Sequence, residues 1–243
     1  MPTMNTIKLS IIIVTYNASL TIERVLENII QNKTEEAELI VIDGQSTDDS
    51  LQKIDKYKNS IDTFISEKDK GIYDAMNKAI QLSKGEWLYF IGADDLIHEG
   101  AITHFFQALP GYHGKLIFGN YYETSNSQIV KNCQQQPYSF KWQLLKGCLN
   151  HQSVFIKRSL FEKYGNYNTA YSFCADYEFY LRIPFTILKG AKKIDYPIAY
   201  YNKTGASSIA KEQVYKERKS IINQYFGKLV GGLYSFYLKL SNA

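Results

Sequence analysis

Residues 8–17, KLSIIIVTYN, form a short β-branched run that ends in the polar group Thr15-Tyr16-Asn17. An apolar run of this length predicts a strand that is buried on both faces. Residues 20–31, LTIERVLENIIQ, follow with apolar residues at helical spacing, which predicts an amphipathic helix. A buried strand followed by such a helix is the unit from which parallel sheets are built.

The same alternation continues to residue 95. Strands are predicted at residues 38–44 (ELIVIDG), 61–67 (IDTFISE) and 86–95 (EWLYFIGADD), with helices at 46–57 and 71–83. The second half is less regular: strands are predicted near 115–121, 153–157 and 197–201, and helices near 159–164 and 176–183. The pattern predicts an α/β fold, a parallel sheet with helices on both faces.

No internal repeat, low-complexity tract or linker divides the chain. We therefore expect a single domain over residues 1–209, made of a regular half at about 1–97 and an irregular half at 98–209. Residues 210–243 are predicted to form a C-terminal amphipathic helical segment outside that domain.

Composition narrows the class of protein. A formal net charge of +4 is too small to predict nucleic-acid binding. The cysteines Cys133, Cys148 and Cys174 fit no zinc spacing, and their odd number argues against a disulfide framework. A reducing compartment is the simplest interpretation, so we expect a cytoplasmic protein. The 20 tyrosines suit sugar-facing clefts or membrane-facing surfaces, although AT-rich coding bias explains them equally well.

Polar residues follow four predicted strands at their carboxyl ends. These ends are Thr15-Tyr16-Asn17, Asp43-Gly44, residues 67–71 and Asp94-Asp95. Ligands of open α/β sheets bind outside the carboxyl ends of the strands. Because three of the four ends carry acids, the sequence predicts a binding site along this edge of the sheet.

The pair Asp94-Asp95 carries the strongest chemical signal. Adjacent carboxylates after a buried strand repel each other unless a positive charge lies beside them. A divalent cation, Mn²⁺ or Mg²⁺, is the natural partner because these ions prefer carboxylate and phosphate oxygens. The alternative is that the pair only caps the following helix.

Further polar residues surround this edge. A carboxylate at Asp43 could accept a hydrogen bond from a nucleobase or a ribose, and residues 67–79 add Asp69, Gly71, Asp74 and Asn77. The alternatives are a helix cap at Asp43 and a solvated turn at 67–71. No glycine-rich phosphate loop occurs in the sequence, so a cation and side chains would have to neutralise a phosphate.

Four segments, in order, resemble the inverting family-2 glycosyltransferases, whose fold is the Rossmann-like GT-A fold. They are SIIIVTYN, LIVIDGQSTDDS, SEKDKGIYDAMNKAIQLSKGEWLYFIGADD and CADYEFYLR, and the resemblance covers about residues 8–205. The form DKGIYDAMNKA resembles a bacterial subgroup that builds surface polysaccharides. The resemblance implies that residues 1–97 bind a nucleotide sugar and that residues 98–209 bind the acceptor.

The resemblance also implies roles for particular residues. Thr15 and Asp43 match nucleotide contacts, with Asp43 at a uracil-type base, and Asp69 matches an acid at the nucleotide site. With its neighbours, the predicted nucleotide- and donor-binding set is Thr15, Tyr16, Asn17, Asp43, Asp69, Gly71, Asp74, Asn77 and Asp94. Asp95 matches the metal ligand of the family.

Asp176 matches the general base, the second acid of a Glu-Asp pair in the family. The first acid is replaced here by Ala175, which puts a role for that position in doubt. One base without a protein nucleophile implies a single displacement with inversion. The alternative for Asp176 is a helix N-cap.

Three further residues are candidates for contacts with the acceptor or the diphosphate. His151 precedes an apolar strand, where a structural role is equally expected. Residues 204–208, TGASS, resemble a loop that closes over the donor but lack its usual Arg and His, so Lys203 and Ser207, with Ser208, are candidates for their contacts.

The predicted function is transfer of a sugar from a nucleotide-diphosphate donor, UDP-linked by preference, to a saccharide acceptor in bacterial polysaccharide synthesis. A sugar-phosphate nucleotidyltransferase is one alternative, but such enzymes place a glycine-rich loop where this chain has Thr15-Tyr16-Asn17. The other alternative is a non-catalytic nucleotide-sugar binding module, which would need neither a base nor metal-binding acids.

Residues 211–240 hold six Lys or Arg and two acids, so the whole excess of positive charge lies there. Apolar pairs recur every four residues from Ile221-Ile222, which predicts a helix with a broad apolar stripe that Gly231-Gly232 kinks or breaks. Such a helix suits the inner face of the cytoplasmic membrane and a polyprenyl-diphosphate-linked acceptor. The alternative is packing on the catalytic domain or in a homodimer.

Overall fold

The computed structural model describes residues 7–205 and 209–241, the last seven by their backbone alone. Residues 9–92 alternate strands and helices as predicted. The elements are β1 (Leu9–Thr15), α1 (Ile22–Asn32), β2 (Ala37–Asp43), α2 (Ser50–Asp55), β3 (Thr63–Ser66), α3 (Ile72–Leu82) and β4 (Trp87–Gly92). A short 3₁₀ helix, Lys58–Ser60, precedes β3.

The second half is less regular, also as predicted. Its elements are β5 (Leu96–Ile97), α4 (Ala101–Ala108), β6 (Leu116–Ser125), β7 (Gln128–Cys133), β8 (Val154–Lys157), α5 (Ser159–Tyr164), α6 (Ala175–Arg182), α7 (Phe185–Lys189), β9 (Lys192–Asn202), α8 (Lys211–Phe226) and α9 (Lys228–Ser241), with 3₁₀ helices at Lys141–Leu145 and His151–Ser153. The predicted strands and helices correspond to β6, β8, β9, α5 and α6. The short elements β5, α4, β7 and α7 were not predicted.

The described strands form one nine-stranded sheet. Its order is β3-β2-β1-β4-β8-β6-β9-β5, with β7 paired to β6 at one side. Strands β3, β2, β1 and β4 run parallel, whereas β8 is antiparallel to both β4 and β6. The α/β prediction is therefore confirmed, with a mixed second half joined to a parallel first half.

The register of the parallel strands aligns their carboxyl ends. Thr15 lies opposite Asp43, and Asp43 lies opposite Ser66, so one row of the sheet carries all three. Gly92 ends β4 beside Val14, one residue before that row. The polar residues that follow each strand are therefore brought to one edge by the hydrogen-bond ladder itself.

Both faces of the sheet are covered by helices, each with its own apolar core. On one face, Ile11 and Ile13 of β1 pack with α1, α2 and α4. On the other face, Ile12 and Val14 pack with α3, α5, α6 and α8. Alternate residues of one strand thus enter opposite cores, which explains why the run KLSIIIVTYN is apolar throughout.

The C-terminal segment is divided differently from the prediction. The break lies at Gly227, which has a positive φ of 89° and ends α8, whereas α9 continues through Gly231 and Gly232. Gly231 instead allows close packing, because a Cβ there would overlap the side chain of Asn223. Helix α8 packs on the domain through Ile221 and Ile222, both fully buried.

This packing predicts that truncating a buried side chain of α8 destabilises the protein more than truncating an exposed side chain of α9. We expect Ile222→Ala to lower the free energy of unfolding by about 2–4 kcal/mol, because it leaves a cavity in a closed core. Leu233→Ala, at a side chain that is 63% exposed, should change it by less than about 0.5 kcal/mol. Urea denaturation measures both, and equal values would mean that α8 is not packed as described.

Candidate active site

A cavity of about 980 Å³ opens at the carboxyl ends of β1 and β4. The end of β9, the start of α6 and one residue of α8 close its other sides. Of the predicted site residues, those that line it are Thr15, Tyr16, Asn17, Asp69, Gly71, Asp94, Asp95, His151 and Asp176. The volume lies at the upper end of the range for small-molecule sites.

Two predicted donor-binding residues make other contacts. The side chain of Asn77 exchanges two hydrogen bonds, 2.9 Å each, with the backbone of Tyr167 and so ties α3 to the loop before α6. Asp74 accepts a hydrogen bond of 3.0 Å from the backbone of Lys70. Neither side chain lines the cavity.

Of the two predicted residues of the closing loop, only Lys203 is described. Lys203 pairs with Glu123 of β6 at 3.1 Å and does not line the cavity. Ser207 and its neighbour Ser208 lie outside the described residues.

Asp43 lies beneath the cavity rather than in its wall. Its side chain is fully buried, and its carboxylate accepts hydrogen bonds from the backbone N–H and the hydroxyl of Ser46 and from the hydroxyl of Ser66. These bonds join the end of β2 to the end of β3. Asp43 therefore organises the loop that follows β2.

The loops after β1 and β2 are linked to each other. Asn17 donates its backbone N–H to the hydroxyl of Ser46 at 2.8 Å, and its side-chain oxygen accepts the backbone N–H of Thr47 at 2.8 Å. Asn17 and Gln45 both have left-handed backbones, with φ values of 49° and 63°. Asparagine tolerates this conformation because its side chain can bond locally.

The end of β1 presents two groups suited to a ligand. The hydroxyl of Thr15 is buried at the cavity wall and has no hydrogen-bond partner among the described residues. A buried hydroxyl left unpaired costs about 1–3 kcal/mol, which a ligand atom would recover. Tyr16 beside it is 62% exposed, so its ring is free to pack against a flat group.

Asp69 reaches the strand-end row because residue 44 is glycine. A Cβ at Gly44 would lie 2.6 Å from Oδ2 of Asp69, so any larger residue would displace the carboxylate. Oδ1 of Asp69 accepts the backbone N–H of Gly71 at 2.8 Å. The turn between β3 and α3 is thereby held against the end of β2.

Asp94 and Asp95 are fixed by the end of β9. Oδ1 of Asp95 accepts the backbone N–H of Asn202 at 2.7 Å, and the side-chain amide of Asn202 donates to Asp94 at 3.1 Å. Asp95 is 2% exposed. A Cβ at Gly92 would lie 2.5 Å from Oδ2 of Asp95, so the glycine makes room for the carboxylate.

The electrostatics of this pair are unfavourable in the protein alone. Burial, and next the charge of Asp94, raise the pKa of Asp95 from an ordinary 3.8 to about 7. Burial also raises the pKa of Asp94. Hydrogen bonds from Asn202 oppose both shifts without cancelling them. The pair is therefore stabilised by any cation that binds it.

Asp176 lines the same cavity from the first turn of α6. The hydroxyl of Tyr73 donates a hydrogen bond to its Oδ1 at 2.9 Å. The turn before α6 is held by Glu217 of α8, whose buried carboxylate accepts the backbone N–H groups of Ser172, Phe173 and Cys174 at 2.9–3.0 Å. The carboxylate of Asp176 is thus positioned from two sides.

His151 lines the cavity, and its imidazole ring is neutral. Its Nε2 lies 2.9 Å from the hydroxyl of Tyr167, and the ring stacks on Phe90 with centroids 5.1 Å apart. Burial lowers its pKa, while Asp176 acts in the opposite direction. These contacts favour a role in shaping the cavity over a role as a charged ligand.

Sequence reasoning missed three residues of the site. Tyr73 lies within the segment used for the family resemblance, but its bond to Asp176 spans 103 positions and has no local signal. Asn202 likewise reaches Asp94 and Asp95 only through the strand order. Arg218 of α8, which lines the cavity, was assigned to a membrane-facing surface. Its spacing from Ile221 and Ile222, three and four residues on, indicates the packed face of the helix.

Comparison with known proteins agrees with the resemblance. A family model described as Glycosyl transferase family 2 matches residues 10–175, more than half of the chain. Over 212 residues the chain is 29% identical to a PGL/p-HBAD biosynthesis glycosyltransferase of Mycobacterium tuberculosis, covering 82% of this chain and 78% of that protein.

Solved structures are similar in fold. The chain is similar to S. aureus TarS 1–349 in complex with UDP-GlcNAc, with a TM-score of 0.70 and 17% identity over 90% of this chain and 67% of that one. It is also similar to mannosyltransferase PcManGT from Pyrobaculum calidifontis in complex with GDP-Man and Mn²⁺, with a TM-score of 0.64 and 19% identity over 92% of this chain and 64% of that one. The predicted GT-A fold is confirmed.

The raised pKa of Asp95 predicts a pH-dependent cost of folding. An acid with a higher pKa in the folded state binds more protons there, so stability falls as pH rises from about 4 to about 7 and is level above. We expect Asp95→Asn to remove this loss of stability. In chelator, the variant should exceed wild type in unfolding free energy by about 2–4 kcal/mol at pH 8 and by little at pH 3.5.

Urea denaturation across this pH range measures the difference between the two proteins, so that the titration of other acids cancels. Asp55→Asn, at a side chain that is 71% exposed, is the matched control and should follow wild type. A constant difference between Asp95→Asn and wild type at every pH would contradict the shift.

Proposed function

Because this chain belongs to glycosyl transferase family 2, we propose that it transfers a sugar from a UDP-sugar to an acceptor hydroxyl with inversion at the transferred carbon. The observation that carries the proposal is the cavity at the strand ends. It has Asp94 and Asp95 on one wall and Asp176, held by Tyr73, on another. The first wall suits a diphosphate with a cation, and the second suits a proton acceptor.

The donor nucleotide is proposed to lie along β1 and β3. Tyr16 offers an exposed ring to a base, and Thr15 offers an unpaired hydroxyl. Asp43 is fully buried and does not line the cavity, so its proposed part at the base is indirect: it holds Ser46 and Ser66 at the strand ends beside β1. TarS has been solved with UDP-GlcNAc and PcManGT with GDP-Man, so the preference for UDP rests on the resemblance of the segment that contains Asp43.

The residues present fit a divalent cation, which the function requires. Asp94 and Asp95 supply hard oxygen ligands whose raised pKa values indicate unmet negative charge. Within residues 7–205 and 209–241, no group of three or more His, Cys, Asp or Glu side chains is placed to hold a metal. Donor phosphate and water would therefore complete the coordination, as at many nucleotide sites. A bound cation would neutralise charge on the departing diphosphate.

Asp176 is the proposed general base. Tyr73 donates to Oδ1, so Oδ2 would receive the acceptor hydroxyl. As the hydroxyl oxygen bonds to the sugar carbon, its proton passes to Asp176 and the diphosphate leaves from the opposite side. A single displacement of this kind inverts the carbon.

Two other functions are weighed against this one. A sugar-phosphate nucleotidyltransferase would place a glycine-rich loop after β1, where this chain has Thr15-Tyr16-Asn17. A non-catalytic binding module would bind the donor but release no UDP from it. UDP release from a UDP-sugar, slow into water and faster into an acceptor, supports transfer over both.

The base assignment predicts a variant that binds but does not transfer. We expect Asp176→Asn to lower transfer by roughly 10²–10⁴-fold, because an amide cannot take the proton. Affinity for the UDP-sugar should change by less than about twofold. UDP release with and without Mn²⁺ measures turnover, calorimetry measures affinity, and chelator should lower the wild-type rate.

Asp55→Asn on α2 is the matched control and should retain full turnover. If Asp176→Asn loses donor affinity while its melting temperature is unchanged, Asp176 belongs to the nucleotide site. A wild-type rate that is the same in chelator would rule out the cation.

We further propose that the chain acts in synthesis of a bacterial surface polysaccharide, at the cytoplasmic membrane, on a polyprenyl-diphosphate-linked acceptor. No helix among the described residues is both long and apolar enough to cross a bilayer. A peripheral contact would therefore have to use the surface. We propose the exposed sides of α9 and of the 3₁₀ helix Lys141–Leu145, with the adjoining Phe140, for this contact.

Exposed apolar residues occur on both of these segments. The tail-side patch consists of Phe140, Trp142, Leu229 and Leu233, which are 56–80% exposed. The ring of Trp142 lies 5.3 Å from that of Phe226, the last residue of α8, and α9 begins two residues later. Lys141 and Lys228 lie beside these residues in sequence and supply positive charge for anionic lipid.

The patch predicts binding to anionic vesicles. We expect wild type to sediment with phosphatidylglycerol vesicles at low salt and to be released by high salt, because exposed charges are screened. Leu229→Ser with Leu233→Ser should weaken this binding, because the apolar contact is lost.

The double change Ile129→Ser with Val130→Ser, on β7, removes an equally exposed apolar pair from another element and should leave sedimentation unchanged. If wild type fails to sediment at low salt, the membrane proposal is wrong. A shift of the double tail variant from dimer to monomer would assign the patch to a homodimer instead.

A further inference from the structure

The cavity contains one cationic side chain to which the proposed reaction gives no task. Arg218 projects from α8 and lines the cavity with Asp176, Cys148 and Phe173. It comes from the segment that follows the family match, which ends at residue 175.

The guanidinium of Arg218 is held by rings rather than by an acid. Its Cζ lies 4.9 Å from the ring centre of Tyr177 and 5.7 Å from that of Tyr234. Its hydrogen bond to the carbonyl of Leu145, at 3.5 Å, is at the limit of such a bond, and its Nε is buried without a partner. In the described part of the chain, no carboxylate forms an ion pair with it.

Arg182 is an arginine of the same fold that has an acid partner, although its Nε, like that of Arg218, is buried without a hydrogen-bond partner among the described residues. Its Nη1 and Nη2 donate to the carbonyls of Tyr164 and Asn166 at 2.6 and 2.7 Å, and Glu178 pairs with it at 3.1 Å. Arg218 has neither short hydrogen bonds nor an acid. Burying a charge without such partners is costly, and the cost is recovered when an anion binds.

Arg218 is also not needed to attach α8. Its neighbour Glu217 already accepts three backbone N–H groups of residues 172–174, and Ile221 and Ile222 are buried in the core. The guanidinium therefore faces the cavity from an element that is anchored by other residues.

The neighbours of Arg218 place it on the side of the proposed base. Leu145, Cys148 and Tyr177 all belong to the half that follows residue 97. Cys148 lines the cavity together with Asp176 and Arg218, and Tyr177, whose ring contacts the guanidinium, directly follows Asp176 in α6. Asp94 and Asp95, by contrast, are fixed at the ends of β4 and β9.

We propose that Arg218 binds an anionic oxygen group, a phosphate or a carboxylate, carried by the acceptor, and so holds the acceptor hydroxyl at Asp176. This inference rests on the proposed function, which puts the donor at Asp94-Asp95 and the acceptor at Asp176. A guanidinium matches such a group because its planar N–H donors can bind two oxygens at once. The rings of Tyr177 and Tyr234 keep the guanidinium in place.

The test is calorimetry on protein saturated with UDP and Mn²⁺, so that the donor site is occupied. Glucose 6-phosphate, glucuronate, glucose and inorganic phosphate are the probes. We expect wild type to bind at least one of the two anionic sugars about tenfold or more tightly than glucose and inorganic phosphate. Arg218→Gln should abolish that preference, and Arg218→Lys should retain part of it because the charge remains.

Two controls separate the outcomes. Arg158→Gln, at a side chain that bonds to Ser83 and Glu162 and does not line the cavity, should behave as wild type. Affinity for UDP should be unchanged in Arg218→Gln. A loss of UDP affinity there would place Arg218 at the donor diphosphate and overturn the proposal, as would equal binding of glucose and both anionic sugars by wild type.

Failure of the proposed function has a different signature. A wild type that releases no UDP from any UDP-sugar refutes transfer, whatever the sugar probes show. If Arg218→Gln is too unstable to saturate with UDP, Arg218→Lys decides. A preference for the anionic sugars that is as large in Arg218→Lys as in wild type would show that another group binds the anion.

Discussion

The buried pair Asp94-Asp95 is the constraint around which the rest of this molecule is arranged. Burial at the end of the strand raises the pKa of both carboxylates, and the charge of Asp94 raises that of Asp95 further, while hydrogen bonds from Asn202 and the charge of Arg24 offset these shifts only in part. Such a pair lowers the stability of the fold unless a ligand relieves it. It is tolerated because the sheet beneath is packed on both faces by fully buried residues such as Ile11 and Ile12.

The pairing of the parallel strands brings the polar strand ends together and so forms the site. Because Thr15, Asp43 and Ser66 share one row, the loops that follow their strands are neighbours. The buried carboxylate of Asp43 then joins two of those loops, and Asn17 joins the loop after β1 to the loop after β2. The side of the cavity at the strand ends is therefore a product of strand register and a few buried polar contacts.

Local pattern was enough to predict the first half and its strand ends. The run KLSIIIVTYN and the strands and helices that follow it have clear apolar patterns. A parallel sheet necessarily brings the carboxyl ends of its strands together. The same reasoning could not predict that Asn77 bonds to Tyr167 or that Asn202 reaches Asp95, since these contacts span 90 and 107 positions. The short elements β5 and β7 were missed because two to six residues carry little periodic signal.

The C-terminal segment shows why composition alone misleads. Its excess of Lys and Arg suggested one charged surface, yet helical geometry separates neighbours by 100°. Glu217 accordingly holds the turn before Asp176, while Arg218, one residue later, lines the cavity. Arg218, whose charge the composition assigns to a basic tail, thus lines the cavity. The residue that attaches α8 and the residue that lines the cavity differ, so the segment can hold the turn before Asp176 and also carry a charge that has no acid partner in the described part of the chain.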